Sequence, residues 1–161
     1  MDRDNYLNAL DLERDGKLEE AGRQLHALAD AGDPHALIEL GARYYVDTDF
    51  DSSMFLPGKD LVRYQALTEK GRLAFLALAE AGDAEAMRML GYYYLGLLGP
   101  VEKAPPAGEA WLLKAYEAGC HLAANDLSTY YLHTDRAEAK RWYQIAEAHG
   151  CRVIYSSDLE T

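Results

Sequence analysis

The feature that most constrains this chain is internal self-similarity. The segment LADAGDPHALIELGARYY, Leu28 to Tyr45, recurs as LAEAGDAEAMRMLGYYYL from Leu78 to Leu95 and as AYEAGCHLAANDLSTYYL from Ala115 to Leu132. The copies align Gly32, Gly82 and Gly119; Ala36, Ala86 and Ala123; Leu40, Leu90 and Leu127; and Tyr44, Tyr94 and Tyr131. Recurrence at this period marks a fold assembled from supersecondary units that each bury a face against the next. Alanine, leucine and tyrosine recurring four residues apart fall on one face of a helix, so each copy reads as helix, tight turn, helix.

The turn has its own chemistry. Glycine tolerates the left-handed conformation that closes a helix, Asp33 and Asp83 beside it can cap the next helix, and Pro34 suits a first helical position. Small residues recur at Ala21, Gly71, Gly108 and Ala139 and at Ala31, Ala81 and Ala118, which lets helices approach at the short end of the roughly 8–10 Å packing range. A fourth copy begins at RWYQIAEAHGC, with Trp142 and Gly150 spaced as Trp111 and Gly119 are, and then degenerates. The expected fold is all-α: one domain over 1–161, with an opening helix at 4–14, a break at Asp15-Gly16, and repeats at about 18–46, 60–97 and 107–133. A half-repeat at 135–150, with its helix over 135–149, and a tail at 151–161 complete it.

At these positions the chain resembles the Sel-one-like repeat family, a branch of the tetratricopeptide-like helical repeats with the approximate pattern A-x-x-W-x-x-x-A-A-x-x-G-x-x-x-A-x-x-x-L-G-x-x-Y. The third copy carries it best, through Gly108, Trp111, Ala115, Gly119, Ala123, Leu127 and Tyr131, and LGLLGPVEKAPPAGEAW is similar to the family's glycine-containing link. Gln24 and Ala74 stand where tryptophan is expected, and Ser128 replaces the glycine after the leucine. The resemblance implies a right-handed α-solenoid and an adaptor or scaffold that binds a protein partner through an extended curved surface.

Charge narrows the function classes. Twenty-seven acids against 16 Lys and Arg give a net charge of −11, which repels nucleic-acid phosphates and anionic membrane surfaces and favours a basic protein partner. The N-terminus carries acids where a secretory signal would be basic, no stretch is long and apolar enough to span a bilayer, and two cysteines make no disulfide framework, so a cytoplasmic location is expected. A small acidic chain of this kind also fits an immunity or antitoxin-like inhibitor that occludes a basic toxin domain. A terminal repeat without a clear closing helix leaves an apolar end through which a homodimer could form.

Three sets of residues are candidates for partner binding. The first two copies are about thirteen residues further apart than the second and third, and the excess lies in DTDFDSSMFLPGKD, where Asp47, Asp49, Phe50 and Asp51 form an acidic, aromatic insertion on what is often the binding face of a repeat protein. Phe50 and Phe55 are expected either to fold back or to meet a partner. Tyr92 lies about 200° around its helix from Tyr94 and is expected to face outward, while Tyr44, Tyr94 and Tyr131 fill the repeated core position and are expected to be buried. Tyr93 and Tyr130 share one repeat position about 100° from the core stripe, where inter-repeat packing competes with partner contact. Asp30, Glu80 and Glu117 share another, two residues before the glycine, as either an acidic recognition ladder or a solvated face.

Other chemistries are less well supported. Asp47, Asp49 and Asp51 start like a calcium loop, but Ser52 and Gly58 stand where the invariant glycine and the bidentate glutamate belong. Cys120 and Cys151 share a repeat position, and with His121 and His149 they invite a zinc or thiol reading; their spacing matches no compact ligand motif, and adjacent Cys120 and His121 on a helix would diverge by about 100°. No nucleophile elbow, phosphate loop, dinucleotide fingerprint or zinc-protease motif occurs. The expectation is a non-enzymatic binding protein without a cofactor.

Overall fold

The computed structural model describes residues 3–47, 53–98 and 103–151. Among them it is all-helical, with eight α-helices and no strand. These are α1 (Asp4–Arg14), α2 (Leu18–Asp30), α3 (Pro34–Tyr45), α4 (Leu61–Glu80), α5 (Ala84–Leu95), α6 (Pro105–Glu117), α7 (Leu122–Tyr131) and α8 (Arg136–Ala148). The helix limits fall within about two residues of those read from the sequence. No described helix is long and apolar enough to cross a membrane.

One turn is built repeatedly. Gly32, Gly82, Gly119 and Gly150 all have positive φ, between 71° and 96°. After each of them the next residue's N–H reaches back to a carbonyl five residues earlier: Asp33 to Leu28, Asp83 to Leu78, Cys120 to Ala115 and Cys151 to Ala146, at 2.9–3.0 Å. This closes the helix with the left-handed residue that glycine adopts without strain. Asp33 and Asp83 then accept from Ala36 and Ala86 N–H at 2.8 and 2.9 Å, capping α3 and α5 as expected. The third turn lacks that aspartate, and His121, which precedes α7 at the cap position, makes no side-chain cap.

The chain packs as two compact units, Met1–Ala77 and Leu78–Thr161, with α4 running through the boundary. The core of the first comprises Ala29, Ala36, Leu37, Leu40, Tyr44 and Tyr64. Here α3 meets α4 through small residues: a Cβ built on Gly71 would lie 2.8 Å from Ile38, and one on Gly41 would lie 2.8 Å from Thr68. Phe55 is folded back, since its ring occupies the space beside Gly22 and meets His26 edge-on with centroids 5.9 Å apart. Its N–H donates to Glu13 Oε1 at 2.8 Å and its carbonyl accepts from Arg43 at 3.1 Å. The described part of the insertion is therefore tied to α1, α2 and α3.

The core of the second unit comprises Leu112, Ala115, Ala123, Ala124, Leu127, Trp142 and Ala146. Gly91 of α5 and Gly108 of α6 face one another so closely that a Cβ on Gly91 would lie 2.6 Å from Leu112 and 3.2 Å from the Gly108 carbonyl oxygen. Ser128 occupies the matching position on α7, and its buried hydroxyl donates to the Ala139 carbonyl of α8 at 3.0 Å. The residue that departs from the glycine pattern thus replaces close backbone approach with a side-chain hydrogen bond.

Candidate functional site

The second unit contains a cavity of about 460 Å³ bounded by α5, the start of α6, and α7. That volume falls within the range of about 300–1,000 Å³ common for ligand pockets. Its walls are mainly apolar, supplied by Leu95, Leu97, Pro105 and the bodies of Tyr92 and Tyr130, with Lys103, Asn125, Asp126 and Thr129 as the polar members.

Asp126 is buried, and its carboxylate is fully engaged. Tyr92 Oη donates to Oδ1 at 2.6 Å, and the Arg88 guanidinium pairs with Asp126 through Nε and donates to Tyr92 Oη at 3.0 Å. Glu85 lies 3.3 Å from Arg88 on the other side. Burial raises the Tyr92 hydroxyl, and the bond to Asp126 adds to it, so that it is pushed up to about 12. Burial alone would lower Arg88, but the bond and charge of Asp126 outweigh it and the guanidinium is held above its ordinary value. Asp126 and Glu85 thus share the one Arg88 guanidinium, and the Asp126 oxygens that border the cavity are occupied by Arg88 and Tyr92.

Tyr92 thus differs from the outward-facing residue expected. The rotation that takes it off the core stripe of its own helix carries it towards α7, where Asp126 supplies an acceptor. Tyr44 is buried, but Tyr94 and Tyr131 are only half-buried. They pack edge-on with Tyr93 and Tyr130, at centroid separations of 5.6 and 5.0 Å. Tyr131 donates to Glu109, which together with burial raises its hydroxyl. Tyr93 and Tyr130 are half-buried, and of the two Tyr130 lines the cavity.

The remaining candidates are dispersed. Asp47 is exposed and lies 3.3 Å from Lys59 at the base of the insertion, whereas Asp49, Phe50 and Asp51 lie outside the described residues, as does Ser52 of the calcium-like run. Asp30, Glu80 and Glu117 are exposed last residues of α2, α4 and α6. An acid at the negative end of a helix costs about 0.3–1 kcal/mol, so helix stability does not explain its recurrence in three copies.

Cys120 and His121 lie in the α6–α7 turn rather than on a helix. The ring of His121 stacks on that of His149, with centroids 3.7 Å apart and planes 7° apart, and Tyr116 meets both edge-on. Cys120 is half-buried with its thiol 3.6 Å from Glu85 Oε2; burial and then the Glu85 charge push it up, which keeps it protonated and poorly nucleophilic. Both cysteines are free, and among the described residues no group of three or more His, Cys, Asp or Glu is placed to hold a metal ion.

Reading the sequence missed Arg88, Lys103, Asn125 and Asp126. A signal was present: the repeat position of buried Ile38 is taken by Arg88 and Asn125 in the next two copies, and Glu39 and Asp126 share the position before the core leucine. In the first unit Glu39 accepts from Tyr6 and Arg43, and Arg43 also pairs with Glu13. A cavity of about 710 Å³ adjoins this second acid, tyrosine and arginine cluster. No protein-family model matches the chain, and neither a curated protein nor a solved structure matches it.

Proposed function

We propose that this protein is a helical-repeat binding module, a Sel-one-like α-solenoid whose units present grooves to a protein partner. The observation that carries this reading is the cavity walled by Tyr92 and Tyr130 above a saturated ion cluster. Such a site has shape and apolar surface, and the acid on its wall is already engaged by Arg88 and Tyr92, which suits recognition better than chemistry. The recurring turn and the small-residue contacts between helices support the repeat architecture. The exposed acids Asp30, Glu80 and Glu117 would add long-range attraction towards basic surfaces of a partner.

The test is photo-crosslinking in the native cell. Benzoylphenylalanine in place of Tyr130 is expected to give one discrete protein adduct, while the same group in place of exposed Lys140 gives none. Equal labelling from both positions, or none from either, would remove the groove from the proposal.

A further inference from the structure

The cavity in the second unit has a chemistry of its own that runs against the charge of the whole chain. Among its described lining residues the one acid, Asp126, is paired with Arg88 and accepts from Tyr92. Among the described residues Lys103 makes no ion pair, and its stem is laid across Gly96, where a Cβ would come within 2.7 Å of Lys103 Cε. Gly96 has φ +74°, so glycine there serves both the turn and the seat for that stem. Asn125 Oδ1 is buried and has no hydrogen-bond partner. A buried carbonyl oxygen left unpaired costs about 1–3 kcal/mol. The carboxamide torsion is soft, so rotation can turn a polar atom of Asn125 towards the opening.

An occupant that answers all three features has an apolar side chain for the wall, an amide for Asn125 and an anion for Lys103. We infer that this cavity receives an extended peptide segment of a protein partner, with an aromatic or aliphatic side chain inserted, a backbone amide paired with Asn125, and an acidic side chain next in sequence beside Lys103. This inference rests on the binding-module reading and sharpens it. The segment entering the groove is acidic, although the net charge of −11 favours basic surfaces elsewhere on a partner. A basic side chain would meet the like charge of Lys103.

Nuclear magnetic resonance titration of the full chain tests this with four probes: acetyl-Ala-Phe-Glu-Ala-amide, its Lys-for-Glu and Ala-for-Phe counterparts, and toluene. The expected result is that the Phe-Glu peptide shifts signals of Asn125, Tyr92 and Tyr130, and binds several-fold more tightly than the Lys peptide and about tenfold more tightly than the Ala peptide. Lys103→Glu should invert the Glu and Lys order, and Asn125→Leu should weaken peptide binding about tenfold without lowering the melting temperature. Toluene binding as tightly as the peptide would make this a small-molecule cavity and overturn the proposal. A preference for the Lys peptide, shifts confined to other surfaces, or no binding at millimolar peptide would overturn it as well. A Tyr130 crosslink to a protein alongside peptide failure would leave the module reading standing and refute the peptide chemistry alone.

Discussion

Tyr92 and Asp126 show how one side chain serves two levels of the structure. The hydroxyl is donated inward to a buried carboxylate, and the ring forms the cavity wall. A hydrogen bond to a charged acceptor is worth about 1.5–3 kcal/mol when well buried and less at a half-buried site, so Tyr92→Phe is expected to lower stability by about 1–2 kcal/mol in urea unfolding at pH 8. Because the folded protein holds this proton more tightly than an ordinary tyrosine, the contribution is complete below about pH 10. It is lost as pH rises through about 12, so the gap between wild type and Tyr92→Phe should close over that interval. A gap that widens would place the proton elsewhere. Arg88→Met strands the Asp126 charge and should cost about 3–5 kcal/mol, most of it recovered when Asp126→Leu is added.

At the scale of the helix, local chemistry accounts for most of what was legible in advance. Glycine followed by aspartate specifies a left-handed closure and a cap, both backbone events settled within six residues, and the helix limits followed from them. The contacts between helices were legible where they depend on size alone. Gly91→Ala should cost about 1–3 kcal/mol by overpacking against Leu112, despite alanine's intrinsic advantage of about 1 kcal/mol in a helix. Ser128→Ala should cost about 0.5–1.5 kcal/mol by leaving the α8 carbonyl without its donor. Thermal melts of the two variants separate these effects, and a stabilised Gly91→Ala would refute the close contact. Pairings between distant segments were not legible. Nothing in the sequence around Phe55 announces that Glu13, 42 residues earlier, accepts its N–H, or that Arg43 bridges the two. Glu13→Ala should release this anchor, seen as faster amide exchange at Phe55 and earlier proteolytic cleavage in the insertion, with about 3–5 kcal/mol lost because Arg43 is left partly uncompensated.

For the whole molecule, charge and site chemistry speak about different distances. A net charge of −11 governs approach over roughly a Debye length, about 8–10 Å, whereas Lys103, Asn125 and the apolar wall govern what fits once contact is made. Counting around a helix singled out Tyr92, Tyr93 and Tyr130 as candidates, and the structure shows that Tyr92 and Tyr130 line the cavity. Counting alone could not foresee that Tyr92 turns to a neighbouring helix, because that depends on where Asp126 stands in three dimensions. The central claim, that the chain works by holding another protein, is tested most directly by co-purification. Tagged wild type and Asn125→Leu would be recovered from native extract at low salt, and their companions quantified by mass spectrometry. A stoichiometric protein is expected to be retained by wild type and depleted about tenfold from the variant. Recovery of no companion would contradict the claim, and equal recovery by both would remove the cavity around Asn125 from it.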